Sequence, residues 1–253
     1  RDDLVTGVQT CALPISPAQC RIEYPKPLWR LAYGADQSVW ALEEDQLLHT
    51  TEYGTWKTQT HLPNMDRTEV RNLQVDRQGR VWLLESRRVH RYTPAENRWE
   101  AWSISNLPEG ESLFGVEEVR PGEYWLSSTD GLWIWQEQGG KVTMQVVRQR
   151  EGLATGLPGN RIEPLLRDRQ GQIWLGVAGG GLSCHDPATR VFGGIGKADT
   201  YTLGLFNPLV WEIAEDAQHR LWIGTANGLH LVEPARPGTP LSAQPDLRHS
   251  LVS

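Results

Sequence analysis

The chain has 253 residues, and its 25 Lys and Arg against 31 Asp and Glu give it a net charge of −6. This acidic balance argues against nucleic acid or an anionic membrane surface as its main partner. The length suits one large all-β domain, and no apolar run in the sequence approaches the roughly 18 residues that a membrane-spanning helix needs.

The first sixteen residues fit none of the patterns that follow. The segment VTGVQTCALPI within them resembles the translation of a common sequencing adapter. We therefore interpret residues 1–16 as non-native and exclude them from the fold prediction. Cys11 lies in this segment, which leaves Cys20 and Cys184, and the sequence does not decide whether these two pair.

The rest of the sequence repeats a short phrase in which an Asp, a turn residue and an apolar residue precede a Trp. Clear copies occupy residues 76–82 and 168–174, and residues 216–222 keep the frame with His219 in place of the turn Gly. With two weaker copies, the phrase places tryptophans about 42 to 49 residues apart, a spacing typical of propeller blades: Trp40, Trp82, Trp125, Trp174 and Trp222.

The copy around Trp174 predicts how one blade is built. Its strands are expected at residues 161–167, 172–177 and 182–185, with a fourth beginning at Val191. Pro164 offers no amide donor, so the first strand should pair irregularly. Asp-Gly and Asn-Gly pairs in equivalent turns favour hairpins, and no long stretch shows helical periodicity. The sequence predicts an all-β propeller of four-stranded antiparallel blades, with the recurring Trp packed between neighbouring blades.

About five blades are visible, and residues 241–253 resemble the start of a further one. We expect residues 17–253 to be an incomplete part of a larger propeller, whose unclosed ends expose faces that allow association, for example as a homodimer. The predicted blades occupy residues 27–61, 68–104, 112–149, 160–201 and 208–240.

Several phrases of the fourth and fifth blades resemble the two-component-regulator propeller repeat. They are residues 157–161, 168–171, 173–176 and 180–182, with the core repeated at 221–225 and 228–229. The resemblance implies a bacterial sensor propeller in the periplasmic or extracytoplasmic part of a membrane-anchored protein. It also implies downstream modules: an immunoglobulin-like domain, a membrane helix, and a histidine kinase or diguanylate cyclase output domain. The present chain would itself be no enzyme.

The apparent chemical motifs favour structural roles. Cys184 and His185 are neighbours on a predicted strand, so their side chains should point to opposite faces and cannot act together as nucleophile and base. Residues 193–197 resemble a phosphate loop but lack its first Gly and its Ser or Thr, and we expect a surface loop there. The histidines show no metal-binding spacing. We expect no catalytic residue, no metal site and no cofactor.

Propeller geometry places the loops between second and third strands on the same edge as the connections between blades. Amide and guanidinium groups at this edge suit sugar hydroxyls or carboxylates. Turn formation explains most of these residues, but Arg87 and Arg88 occupy a slot that turn-forming residues fill in other blades. The candidate ligand-binding residues are Arg67, Arg87, Arg88, Asp130, Asn160, Arg161 and Asn227, with Asn64, Asn106 and Asn207 on the same edge.

The leading hypothesis is a non-catalytic domain that senses an extracellular ligand, with a saccharide among the candidates. Two alternatives stay open, because fold alone does not determine function. The chain could be a protein-interaction scaffold, or a polysaccharide-acting enzyme that gathers carboxylates from separate blades.

Overall fold

A computed structural model describes residues 26–51, 55–63, 65, 67–150, 156–186, 191–195 and 209–232. The predicted non-native segment 1–16, Cys20 and the expected further blade at 241–253 lie outside these residues. The described strands form five antiparallel sheets of three or four strands, which confirms the all-β propeller fold class. The chain divides into two compact units, the first ending at Glu109 and the second beginning at Gly110.

The first unit contains two blades, and the strands of each follow one another in chain order across the sheet. The first blade consists of β1 (Arg30–Tyr33), β2 (Val39–Glu43), β3 (Gln46–Thr50) and β4 (Lys57–His61). The second consists of β5 (Asn72–Val75), β6 (Val81–Leu84), β7 (Arg88–Thr93) and β8 (Arg98–Ser103). Short 3-10 turns occur at Arg67–Glu69 and Pro94–Glu96.

The second unit contains three blades with the same strand order. The third blade consists of β9 (Leu113–Arg120), β10 (Glu123–Ser128), β11 (Gly131–Gln138) and β12 (Lys141–Val147). The fourth has β13 (Ile162–Arg167), β14 (Ile173–Val177), β15 (Gly181–Asp186) and β16 (Val191–Ile195). Three strands of the fifth are described: β17 (Val210–Glu215), β18 (Leu221–Thr225) and β19 (Gly228–Val232). Each sheet lies within one predicted blade range.

The recurring Trp packs one blade against the next, as predicted. Trp40 of the first blade shares a buried cluster with Leu73 of the second. In the second unit, Trp125 packs with Ile162 of the following blade. Trp174 likewise packs with Ile213. Since a single sheet cannot bury both of its faces, these contacts supply the core that an isolated blade would lack.

The fourth blade approaches the fifth closely at Gly176. A β-carbon placed on Gly176 would lie 2.5 Å from Pro164 and 2.8 Å from Val210. At the equivalent Gly224 the nearest atom would be 3.7 Å away. The missing side chain of Gly176 therefore makes room both for the proline of the neighbouring strand and for the next blade.

Two predictions about the fourth blade have different outcomes. Cys184 packs in the cluster shared with the fifth blade, whereas the ring of His185 lies 4.8 Å from that of Trp125 in the third blade. Their side chains thus point to opposite faces, as expected. The surface loop expected at residues 193–197 is wrong for its first part, because Gly193 and Gly194 pair with Cys184 and Ser183 as part of β16. These two small residues extend the backbone pairing between β15 and β16.

Candidate functional site

Each blade has two functional ends, which we name here. The turn end carries the hairpin between the first and second strands. The loop end carries the loop between the second and third strands and the beginning of the first strand. All seven candidate ligand-binding residues were predicted at the loop end. Comparing the two ends shows which polar side chains are used in structural contacts and which remain available to a ligand.

The turn end is held by an Asp that satisfies the hairpin backbone and the recurring Trp together. Asp168 Oδ1 accepts hydrogen bonds from the amides of Gln170 (2.9 Å) and Gln172 (2.8 Å), and Oδ2 accepts one from Trp174 Nε1 at 2.8 Å. Asp76 and Asp216 repeat this arrangement, with Trp82 and Trp222 donating at 2.8 and 2.9 Å. These carboxylates are fully engaged in structure.

A positive φ closes these hairpins. Gly79 and Gly171 adopt φ values of 74° and 89°, and His219, which replaces the glycine in the fifth blade, adopts 63°. His219 Nδ1 lies 2.9 Å from Glu215 Oε1, a contact that supports the left-handed conformation of a residue with a β-carbon.

In two blades, a residue other than the hairpin Asp accepts the hydrogen bond from the recurring Trp. Trp125 Nε1 donates to Glu123 Oε1 at 3.2 Å, so a glutamate at the end of the hairpin replaces the aspartate. In the first blade, Trp40 Nε1 donates to Ser38 Oγ at 3.2 Å, and Ser38 in turn donates to Asp36. The Ser38 hydroxyl is the main cause of a lowered pKa at Asp36, with smaller contributions from backbone amides and His49, against some desolvation. A polar partner for the indole is kept in all five blades.

The loop end of the second blade is rich in arginine. The amide of Glu85 donates to the carbonyl of Arg88 at 2.9 Å, closing a tight turn that contains Arg87. Arg88 Nε lies 4.0 Å from Glu85 Oε2. Arg87 Nη2 donates to the carbonyl of Ser105 at 3.3 Å, and among the described residues it has no carboxylate partner. Both arginines are exposed.

Two further arginines, which the sequence prediction missed, extend this surface. Arg71, at the entrance to β5, donates from Nε to Ser86 Oγ at 3.4 Å. Arg30 of the neighbouring first strand donates from Nε to the carbonyl of Arg71 at 3.0 Å. The pKa of Arg30 is lowered, mainly by burial of the side chain and to a smaller extent by the positive charge of Arg71. Arg67 lies in the 3-10 turn just before β5, and Asn64 lies outside the described residues.

In the second unit, the structure brings three of the predicted residues together. Arg148 binds the carboxylate of Asp130 through two hydrogen bonds of 3.0 and 2.6 Å. The carbonyl of Asn160 accepts from the amide of Gly131 at 2.6 Å, and its side-chain oxygen accepts from the amide of Gln149 at 2.6 Å. Arg161 donates to Glu163 Oε1 at 2.6 Å and lies 5.7 Å from the Phe114 ring. Both of these cations are therefore paired with carboxylates.

A bulge at the beginning of the first strand recurs in the three blades of the second unit. The register shifts between Ser127 and Ser128 of the third blade, between Ile162 and Leu165 of the fourth, and between Val210 and Glu212 of the fifth. The extra residue falls outside the regular backbone pairing of the two strands. The residues at this position are Phe114, Glu163 and Trp211.

The fifth blade adds one predicted residue and one unexpected one. Asn227 stands in the hairpin after β18, where its amide donates to Thr225 Oγ1 at 3.3 Å, so a turn role accounts for it. Trp211 is 62% exposed. Beside it, the Glu212 side chain is still in contact with solvent. Desolvation by the surrounding protein atoms nevertheless raises the pKa of its carboxyl. Asn207 lies outside the described residues.

Within the part of the chain that the structure describes, no group of three or more His, Cys, Asp or Glu side chains could hold a metal ion. None of the helices in that part is long and apolar enough to cross a membrane.

Comparison with solved structures identifies the same fold in longer proteins. The extracellular domain of the putative one component system BT4673 from B. thetaiotaomicron is 16% identical, with a TM-score of 0.58 over 83% of this chain. The chain spans only 30% of that structure's length. Virginiamycin B lyase from Staphylococcus aureus is 17% identical, with a TM-score of 0.56; 83% of this chain and 69% of the lyase are covered.

A third similar structure is XC5397 from Xanthomonas campestris, described as a gluconolactonase. It is 16% identical, with a TM-score of 0.54 over 81% of this chain and 71% of that one. These likenesses show the propeller fold. No curated protein sequence matches the chain. The family described as two component regulator propeller matches residues 204–227, which span the Asp216–Trp222 hairpin. The chain is thus a β-propeller protein that carries a two-component-regulator propeller repeat in its fifth blade.

Proposed function

We propose that the chain is the non-catalytic, ligand-sensing propeller of a bacterial signal-transduction protein. The observation that carries the proposal is the difference between the two ends of the blades. Hydrogen bonds within the hairpins use up the Asp and Trp groups of the turn ends. The loop ends instead hold exposed arginines and, in the fifth blade, an exposed Trp. Variable loops on a repeated frame are the usual arrangement for recognition.

The family match supports the signalling context. The repeat at residues 204–227 belongs to two component regulators, and the BT4673 structure is described as an extracellular domain. By analogy we place the chain outside the cytoplasm, with its output through a kinase or cyclase domain elsewhere in the intact protein. The ligand would bind the loop ends, where Arg67, Arg87, Arg88, Asp130, Asn160, Arg161 and Asn227 lie.

Ligand-dependent stabilisation tests the proposal. A ligand that binds only the folded state adds about 2.7 kcal/mol to the free energy of unfolding at a hundredfold excess over its Kd. We expect at least one extracellular oligosaccharide to raise the Tm of the full chain. The same compound should change kinase or cyclase output in the intact protein. Turnover of a lactone or polysaccharide, without any effect on output, would show an enzyme instead.

A second candidate function, protein interaction, has a specific observation in its favour. All the large apolar side chains that are exposed in the described residues belong to the first or the last described blade: Trp29, Leu31, Tyr33, Leu209, Trp211 and Leu229. Such surfaces favour contact with another protein or with a second copy of the chain. Light scattering would distinguish a second copy of the chain from another protein. If the chain is a monomer at all concentrations, self-association is excluded and the partner is a different protein.

A further inference from the structure

We propose that the loop end of the first unit is an anion-binding site for an acidic saccharide, formed by Arg30, Arg71, Arg87 and Arg88. This inference rests on the proposed sensing function for the choice of saccharide, whereas the anion site itself rests on charge and geometry. Among the described residues, the one carboxylate within 4.0 Å of any of these four guanidinium groups is that of Glu85, beside Arg88.

The four arginines are linked by a series of contacts. Arg30 on the first strand donates to the carbonyl of Arg71 at 3.0 Å. Arg71 in turn reaches Ser86 at 3.4 Å, and Ser86 stands in the tight turn immediately before Arg87. Among the residues that the structure describes, the guanidinium groups of Arg30, Arg71 and Arg87 bind carbonyls or a hydroxyl and no carboxylate. Their charges therefore remain available to an external anion.

Bringing like charges together costs free energy unless an anion offsets it. The lowered pKa of Arg30, caused by burial and by the charge of Arg71, is one sign of this repulsion. Guanidinium groups bind carboxylates through two parallel hydrogen bonds, and an acidic sugar chain carries such groups at regular intervals. A ligand with several acidic groups fits the cluster better than a single small anion.

The neighbouring Trp29 favours a saccharide over an inorganic anion. It is 41% exposed and adjoins Arg30, whose Nη1 donates to its carbonyl at 2.8 Å. The negative face of an aromatic ring attracts the weakly positive C–H face of a sugar. An acidic sugar could thus place its carboxylate on the arginines and its ring on Trp29.

The turn ends provide a matched control. Arg77 and Arg169 lie in turn-end hairpins, outside the proposed site. Removing this pair takes away the same number of charges without touching the site. The loop-end arginines Arg148 and Arg161 show the contrast, because each is already bound to a carboxylate, Asp130 or Glu163, at 2.6 Å.

Calorimetric titration of the full chain with trigalacturonate tests the site. Arg71→Ala with Arg87→Ala should weaken binding about tenfold to a hundredfold for each charged hydrogen bond lost. Arg77→Ala with Arg169→Ala should change the affinity less than twofold. Raising the salt concentration should weaken trigalacturonate binding more in the wild type than in the Arg71/Arg87 variant. The variant forms fewer ion pairs with the ligand, so salt has fewer of them to screen.

Further titrations separate the ligand classes. A heparin-derived tetrasaccharide replaces carboxylates partly by sulfates, inorganic sulfate lacks the sugar, and xylotriose lacks the charge. Trp29→Ala should weaken trigalacturonate and leave inorganic sulfate unchanged. Glu85→Gln removes the carboxylate of the cluster and should raise the affinity for trigalacturonate severalfold, so the proposal stays testable even if an arginine variant folds poorly.

Two results would overturn the proposal: an equal loss in the Arg77/Arg169 control pair, or equal affinity for xylotriose and trigalacturonate. Failure of the proposed function looks different. If trigalacturonate binds as expected but never changes kinase or cyclase output, the anion site stands and the sensing role fails. If a neutral sugar changes output and Arg71→Ala with Arg87→Ala has no effect on it, sensing stands and the anion site fails.

Discussion

The two ends of the second blade use the same residue types in opposite ways. At the turn end, Arg80 binds Asp76 at 2.7 Å, and the same carboxylate accepts hydrogen bonds from two backbone amides and Trp82. At the loop end, the partners of Arg71 and Arg87 within the described part of the chain are a hydroxyl and a carbonyl. A paired arginine stabilises a hairpin, whereas an arginine without an anion is available for binding. This difference separates the scaffold of the blade from its recognition surface.

The largest effect that the comparison predicts is the loss of a turn-end aspartate. Asp168 is 1% exposed, and Asp168→Ala would leave Trp174 Nε1 and two amides without their acceptor. We expect a loss of about 2–4 kcal/mol in the free energy of unfolding, measured by urea denaturation. Arg87→Ala at a loop end should cost less than about 0.5 kcal/mol. Similar costs for both would remove the distinction between the two ends.

A smaller effect is expected where a loop end meets the next blade. Gly176→Ala would place a methyl group within 2.8 Å of Val210 and closer still to Pro164, so we expect a cost of about 1–3 kcal/mol. Gly224→Ala, whose nearest neighbour would lie at 3.7 Å, should change stability by less than about 1 kcal/mol in either direction. Thermal unfolding of both variants measures the difference, and a harmless Gly176→Ala would show that the fourth and fifth blades do not pack closely.

The two ends of β17 should respond to pH with opposite sign. Desolvation acts to raise the pKa of Asp216, but hydrogen bonds from Arg220, Trp222 and Gln218 outweigh it and lower the pKa. The stability it contributes is present above its unfolded pKa and lost as the pH falls through the folded one. Desolvation raises the pKa of Glu212, so its contribution is present at low pH and lost as the pH rises through the folded pKa.

Neutral substitutions at these positions test the signs. At pH 7, Asp216→Asn should destabilise the chain by about 1 kcal/mol and Glu212→Gln should stabilise it slightly. Both differences should shrink toward pH 3, where the carboxyls gain protons. Urea denaturation of each variant at pH 3, 5 and 7 measures this. If Glu212→Gln destabilised the chain at pH 7, the hydrogen bond from the amide of Ile213 to Glu212 Oε1 would outweigh the desolvation of the carboxylate, contrary to our interpretation.

The smallest effect concerns the one repeat that lacks its turn glycine. His219→Gly should relieve the left-handed strain but lose the contact with Glu215, so we expect a net gain of about 0.5 kcal/mol. Gly171→His is the reciprocal variant and should be destabilising. The Tm values of the two variants would reveal any role of His219 beyond closing the hairpin.

The sequence predicts the blades well because the Asp–Gly–Trp phrase encodes a local structure. Asp168, Gly171 and Trp174 lie within seven residues and contact one another, so their spacing alone is informative. The irregular pairing at Pro164 was predicted for a similar reason. Gly193 and Gly194 were misjudged, because composition at a strand end does not reveal a ladder partner contributed by β15.

The candidate site was predicted only in part. The slot of Arg87 and Arg88 was evident from comparison between blades. Arg30 and Arg71 were missed, because their contact joins first strands 41 residues apart, and no local pattern links them. The pairing of Arg161 with Glu163 was also missed, although the two residues are close in sequence. Pro164 indicates that the strand pairs irregularly, but it does not indicate which side chains meet there.

The bulge in the third, fourth and fifth blades has a consequence for how such proteins diversify. Because the extra residue stands outside regular pairing, a mutation there leaves the buried contacts of Val116, Leu165 and Ile213 in place. Phenylalanine, glutamate and tryptophan already occupy the position within one chain. A substitution at this position can therefore change the chemistry of the surface of one blade while those buried contacts are kept.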